Sequence, residues 1–193
     1  MIHHLKGQLI EKNPTFVVIE CGGVGYYVHI SLHTFSLISA SEVISLYTHL
    51  QVKEDSHTLF GFKEKSEREI FRLLISVSGI GASTARTMLS SLEPNQIKEA
   101  IATGDVATIQ SIKGIGAKTA QRVILDLKDK ILKVFGADEV FVSSNNTIKE
   151  EALSALETLG FARKQAEKVI DKILKETPDP SVESLIKQAL KNL

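Results

Sequence analysis

The spacing of apolar and polar positions changes character near residue 64. Before that point, short β-branched runs are separated by turn signals, and the pattern predicts five strands and one short helix. The strands are Ile2–Ile10, Thr15–Glu20, Gly25–Ser31, Val43–Val52 and His57–Phe62, and the helix is His33–Ile38. In the longest strand, Ile44, Leu46, Leu50 and Val52 are placed on one face, and Ser45, His49 and Gln51 on the other. Five strands in a segment this short favour a closed OB-type barrel, which leaves no sheet edge unpaired.

Residues 64–135 show helical spacing instead. Apolar positions three and four apart predict helices over Lys65–Val77, Thr84–Leu92, Pro94–Ala102, Asp105–Ile109 and Thr119–Val134. Pro94 suits a first helical turn, and Asp105 suits an N-cap.

The remaining residues divide into a linker and a small helical module. Residues 136–146 lack periodicity and end in small polar residues, so we predict a flexible linker there. Over 147–193 we expect three short helices. Thr147 and Glu150 form a capping box, Gly160 ends the first helix, and Ser181 opens the third. The predicted domains are therefore 1–63, 64–135 and 147–193, an α+β multidomain arrangement with a C-terminal three-helix bundle.

An internal repeat is the strongest signal in the chain. Gly79–Ala85 and Gly114–Ala120 agree at six of seven positions and lie 35 residues apart, each between two predicted helices. The glycines allow positive φ and close approach of another backbone, and the unpaired N–H groups of such a turn attract phosphate without reading base sequence. A purely structural turn would need only one glycine. The candidate phosphate-binding residues are Gly79, Ile80, Gly81 and Ser83 in the first copy, Gly114, Ile115, Gly116 and Lys118 in the second, and Arg86 and Arg122 beside them.

Charge supports this interpretation only when the chain is divided. Over the full 193 residues, 23 basic residues balance 23 acidic ones, which at first argues against a nucleic-acid partner. Residues 64–135, however, hold 11 basic and 8 acidic residues, whereas the segments on either side are mildly acidic. The repeat therefore lies in the basic part of the chain.

Other chemistry finds little support in the sequence. The six histidines lack the spacing of metal ligands, the glycines form neither a Walker loop nor a dinucleotide fingerprint, and we predict no metal, cofactor or catalytic residue. No apolar run approaches the roughly 18 residues of a membrane helix, so no membrane partner is expected. The single cysteine, Cys21, cannot form an intrachain disulfide, which fits the cytoplasm.

The repeated string resembles the helix-hairpin-helix family of DNA binders that do not read sequence. With a barrel before it and a small helical module after it, the whole chain resembles the RuvA family, the Holliday-junction-binding subunits of the bacterial branch migration complex. The resemblance also rests on Met1, Ile2, Leu5 and Gly7, on Gly22–Tyr26, and on Leu59–Phe62. Ser83 departs from the family, because many relatives have a lysine there.

This resemblance implies partners and further site residues. It implies a homotetramer with fourfold symmetry, of which two can sandwich a junction, together with the RuvB hexameric ATPase and the RuvC resolvase. It also implies an acidic pin at Glu54 and Asp55, which from the sequence alone is an ordinary hairpin turn. The C-terminal bundle, which resembles ubiquitin-associated modules, would contact RuvB through Leu156, Leu159, Phe161 and Leu190. Phe161 is the better candidate for an exposed anchor, while Leu156 and Leu159 belong either to the bundle core or to that contact.

Two other functions remain open at this point. A helix-hairpin-helix glycosylase or nuclease would need a catalytic aspartate some twenty residues after the hairpin, and Asp138 lies near that distance. A protein-interaction adaptor would depend mainly on the C-terminal bundle and would bind little DNA.

Overall fold

The computed structural model describes residues 2–39, 43–136, 149, 151–176 and 181–192. Two compact units divide the chain, Met1–Val134 and Phe135–Leu193. The first unit contains both the strands and the repeat-bearing helices. The finer boundaries at residues 63 and 146 stay predictions. Asp138 and most of the predicted linker lie outside the described residues.

A closed five-stranded barrel opens the first unit, as the alternation predicts. The strands are β1 His4–Asn13, β2 Phe16–Cys21, β3 Val24–His29, β4 Val43–Val52 and β5 His57–Phe62, with helix α1 at Leu32–Leu37 between β3 and β4. Their order around the barrel is β1-β2-β3-β5-β4, and only the β3–β5 pair is parallel. Gly7 lets β1 approach β2 closely, because a Cβ at this position would overlap the Glu20 carbonyl oxygen.

Alternating apolar side chains fill the barrel, with one exception in β4. Val17, Ile19, Ile44 and Leu46 are buried in the core. Val52, on the same face of the predicted strand, is 62% exposed, because the end of β4 runs past the core toward the Lys53–Ser56 turn. Thr48 is buried in the same strand, and its hydroxyl donates to the Ile2 carbonyl at 2.8 Å, which offsets the cost of burying it.

Five helices complete the first unit, and buried polar side chains join the first of them to the α1 segment and to His3, just before β1. They are α2 Lys65–Ile75, α3 Ala82–Ser91, α4 Pro94–Thr103, α5 Val106–Gln110 and α6 Ala117–Phe135. On α2, Glu67 is fully buried and accepts hydrogen bonds from the hydroxyls of Ser31 and Thr34 at 2.5 Å each. Burial raises the pKa of Glu67, although the two hydroxyls act in the opposite direction. The neighbouring Arg68 is also buried and donates to the His3 carbonyl at 3.1 Å.

The second unit is a small helical bundle. Residues 151–158 form α7, followed by α8 Arg163–Glu176 and α9 Val182–Ala189, which Ser181 caps. Leu153, Ile170 and Leu185 are fully buried in its core. The predicted capping box at Thr147 and Glu150 lies outside the described residues. None of the helices in the described ranges is long and apolar enough to cross a membrane.

Candidate nucleic-acid interface

The two copies of the repeat adopt the same backbone geometry. Each copy follows a helix, and a hydrogen bond of 3.0 Å spans the turn. In the first copy Ile80 N–H donates to the Val77 carbonyl, and in the second Ile115 N–H donates to the Ile112 carbonyl. The next helix begins in each case with a bond of 2.9 Å, to the carbonyl of Gly81 or Gly116. Both copies are therefore helix, tight turn and helix, as their sequence predicts.

Apolar side chains anchor both turns from below. Ile80 and Ile115 are buried, as are Val77 and Ile112 before them. The sequence placed Ile80 and Ile115 among the candidate phosphate-binding residues. Their side chains belong to the core, so only their main chain is left to meet a ligand.

The two glycines of each turn differ in whether the backbone conformation requires them. Gly79 and Gly114 adopt φ of 95° and 91°, a region that side-chain-bearing residues rarely enter. Gly81 has φ of −86°, a value that any residue can adopt. Gly116 is likewise not among the glycines with positive φ. Within the described part of the chain, a Cβ at either position would meet no heavy atom within 4 Å. The fold itself therefore does not require glycine at 81 or 116, whereas a ligand backbone approaching these turns would.

The structure brings the first turn and the helix after the second turn to one groove. Gly79 and Ser78 form one side of it, and Lys118, Thr119, Gln121 and Arg122 form the other. Lys118 and Arg122 are exposed one helical turn apart at the start of α6. Two cations and the backbone of a glycine turn thus line a common surface, which is suited to a phosphate backbone.

Arg86 lies elsewhere and contacts the barrel. Its Nη1 is 3.2 Å from the Thr15 carbonyl oxygen, to which it donates, and 3.2 Å from His29 Nδ1. It lines a second depression between the barrel and the start of α3, together with Lys53, Phe60, Gly81 and Ser83. We call this depression the barrel–hairpin cleft. From the sequence we predicted Arg86 only as a phosphate contact, and no local pattern indicated this long-range pairing.

The acidic turn lies between β4 and β5. Lys53 N–H donates to the Ser56 carbonyl at 2.8 Å and closes the turn, with Glu54 and Asp55 at its two central positions. All four residues of the turn are exposed. The two carboxylates are thus presented to solvent at the tip of a short hairpin.

Comparison with known proteins identifies the family. The N-terminal RuvA domain model matches residues 1–61, a model of a SAM-like helix-hairpin-helix tandem matches 71–129, and the C-terminal RuvA domain model matches 147–193. The chain is 78% identical over 193 residues to the Holliday junction branch migration complex subunit RuvA of Christiangramia forsetii, with both chains covered completely. The chain belongs to the RuvA family. The corresponding proteins of Flavobacterium psychrophilum and Bacteroides thetaiotaomicron are 65% and 48% identical, again over the full length of both chains.

The C-terminal RuvA domain places its four candidate residues in different environments. Leu156 is fully buried in the bundle core, which assigns it to the bundle itself. Phe161 is only partly exposed and packs on that core, whereas we expected an exposed anchor. The cause is a Schellman motif at the end of α7, in which Phe161 N–H donates to the Leu156 carbonyl at 3.1 Å and Gly160 has φ of 94°. Leu159 and Leu190 remain exposed, at 59% and 44%.

Three further residues beside the second hairpin or in the barrel–hairpin cleft were not among the predicted site residues. Lys113 is exposed directly before Gly114, and its position beside the repeat was the available signal. Lys53 and His29 line the barrel–hairpin cleft, and nothing in the local pattern links either residue to α3. Burial, followed by the positive charge of Arg86, lowers the pKa of His29. Among the described residues, no group of three or more histidine, cysteine, aspartate or glutamate side chains is placed to hold a metal ion.

Proposed function

We propose that this chain is the DNA-binding subunit of a Holliday junction branch migration complex. The observation that carries the proposal is the pair of equivalent hairpins, each with an open glycine that the fold does not require. Membership of the RuvA family, over the whole chain, supports the same function.

The hairpins would hold the DNA by its phosphates. The unpaired N–H groups beside Gly81 and Gly116 donate to phosphate oxygens, and the missing Cβ atoms let the DNA backbone approach. Lys118 and Arg122 add positive charge next to them. Such contacts do not read base sequence, so the chain would recognise the shape of a junction rather than a sequence.

The acidic turn would act by repulsion. Glu54 and Asp55 are exposed at its tip, so phosphates that came close would be pushed away. Two unit charges about 4 Å apart in water repel by roughly 1 kcal/mol, and by more where water is partly excluded. Several such contributions at the crossover would favour strand separation without any catalytic step. We therefore assign these carboxylates the role of the family's acidic pin.

The assembly would match the four arms of the junction. In our proposal four copies form a ring, and two rings can enclose the DNA, which multiplies the weak contribution of each hairpin. The C-terminal bundle would recruit RuvB through the exposed Leu159 and Leu190. RuvB would hydrolyse ATP and drive migration, RuvC would resolve the junction, and the chain itself would remain non-enzymatic. The cytoplasm is the proposed location, because chromosomal DNA is there.

Gel-shift titration tests this function. The full chain is titrated against a synthetic four-way junction and against a linear duplex of matching arm sequence, at several salt concentrations. We expect much tighter binding to the junction, with an affinity that falls steeply as salt increases because counterions are released. A variant carrying Lys118→Gln and Arg122→Gln should show a shallower salt dependence than the control Lys168→Gln, which removes a charge from the C-terminal unit. Equal affinity for junction and duplex would overturn the proposal.

A further inference from the structure

The two hairpins differ in where their positive charge lies. Lys113, Lys118 and Arg122 surround the second hairpin, and the matching positions of the first hold Ser78, Ser83 and Thr87. Arg86 is the only basic residue in that stretch of the first copy, and it occurs where the second copy has Gln121. The cation of the first hairpin is thus displaced from the turn toward the barrel.

Contacts with the barrel fix the position of Arg86. Its Nη1 lies 3.2 Å from the Thr15 carbonyl oxygen and 3.2 Å from His29 Nδ1. Because both contacts use Nη1, they hold the guanidinium in place, and its other N–H groups lie outside these two hydrogen bonds. An arginine held in this way loses little side-chain entropy when it contacts a phosphate.

His29 is built to accept from this arginine. A guanidinium only donates, so His29 Nδ1 accepts and the neutral ring carries its proton on Nε2. Tyr27 and Phe60 hold the ring, with centroids 5.1 Å and 5.7 Å from that of His29. The lowered pKa of His29 is consistent with a neutral ring in this position.

The barrel–hairpin cleft also leads from the first hairpin to the acidic turn. Gly81 and Ser83 line it at the start of α3, and Lys53 lines it on the barrel side. Lys53 directly precedes Glu54, so an attractive charge and a repulsive pair are adjacent in the chain. A strand in the cleft would be held just before it reached the carboxylates.

We propose that the barrel–hairpin cleft binds one backbone phosphate of the DNA strand held by the first hairpin, with Arg86 and Lys53 as its charged contacts and His29 as a positioning residue for Arg86. This site rests on the proposed function and adds a contact to it. It replaces the charge that Ser83 does not supply. It also defines where the strand leaves the hairpin and diverges at the acidic turn.

The salt dependence of junction binding tests the contact. Arg86→Gln gives the first repeat the residue of the second, and Lys168→Gln is the control of equal charge change. We expect Arg86→Gln to weaken junction binding about tenfold at moderate salt and to reduce the slope of log affinity against log salt by about 0.9 for each protomer in contact. Arg86→Lys should keep most of the slope, because the charge remains. An unchanged slope in Arg86→Gln, with a lower thermal midpoint, would mean that Arg86 only ties α3 to the barrel and would overturn the proposal.

A double-mutant cycle tests the positioning role of His29. His29→Phe keeps a ring in the aromatic stack and removes the acceptor. It should weaken junction binding in the wild-type background and have no further effect beside Arg86→Gln. Additive losses would refute positioning. The wild-type protein separates this inference from the proposed function. A wild-type chain that fails to prefer the junction contradicts the function itself, whereas a failed cycle with normal wild-type preference contradicts only the role of His29.

Discussion

Replacing the hairpin glycines one at a time shows which of them the folded state requires and which DNA binding requires. Gly79 has φ of +95° and Gly114 has φ of +91°, and an L-residue in this region costs about 1–2 kcal/mol. Gly79→Ala and Gly114→Ala should therefore lower the free energy of unfolding by that amount each. Gly81→Ala differs, because φ is −86° and a Cβ finds open space.

At Gly81 two small effects nearly cancel. Gly81 is the N-cap of α3, where alanine is less favourable than glycine by roughly 0.5–1 kcal/mol. Alanine also restricts the unfolded chain, which stabilises the folded state by about 0.4–1 kcal/mol. We expect an unfolding free energy within about 0.5 kcal/mol of wild type. Junction affinity should nevertheless fall about tenfold or more, because the methyl group separates the turn from a phosphate whose charged hydrogen bond contributes about 1.5–3 kcal/mol.

Chemical denaturation and junction gel shifts on the same four variants provide the assay. We expect the free energy of unfolding to fall in the variants at 79 and 114, whereas in those at 81 and 116 junction binding falls and stability does not. Gly81→Ala and Gly116→Ala proteins that fold normally and bind the junction as tightly as wild type would refute it.

Three further predictions concern other parts of the molecule. Glu54→Gln combined with Asp55→Gln should keep or strengthen junction binding and change the rate of RuvB-driven branch migration, and an unaltered rate would remove the proposed repulsive role. Because burial raises the pKa of Glu67 above its usual 4.5, folding stability should fall as pH rises from that value through the raised pKa. Glu67→Gln should flatten this dependence in urea titrations at several pH values, whereas the same pH dependence in the variant would exclude Glu67 as its source. Leu159→Ser should reduce stimulation of RuvB ATPase and leave junction binding intact. Leu156→Ala should instead lower the unfolding free energy of the bundle by about 2–5 kcal/mol, and equal stability of the two variants would contradict their assignment to surface and core.

Local pattern was sufficient wherever neighbouring residues determine the structure. The bounds of β4 and β5 agree with the prediction because alternation and a polar turn define them. The hairpins were predictable because a single string occurs twice. The Asp105 cap was predictable too, since its side chain accepts from Thr108 N–H only three residues away, at 3.1 Å.

Distant partners explain what the sequence did not reveal. Arg86 meets His29 57 residues earlier in the chain, and no local spacing encodes that contact. In the sequence, Glu67 looks like a solvent-exposed helical glutamate. Only the fold brings the hydroxyls of Ser31 and Thr34 to its carboxylate. The turn after α7 places Phe161 against the bundle core. Gly160 predicts the end of the helix but not this packing. In each case tertiary packing decides the role of a side chain that local propensity leaves open.

The mass of the protein in solution, with and without a synthetic four-way junction, tests the central claim most directly. We expect the 21.2 kDa chain to form a complex containing one junction and four or eight copies. A linear duplex of matching arms, at the same concentration, should yield no complex of that composition. A mass unchanged by the junction, or the same complex on linear duplex, would contradict the account.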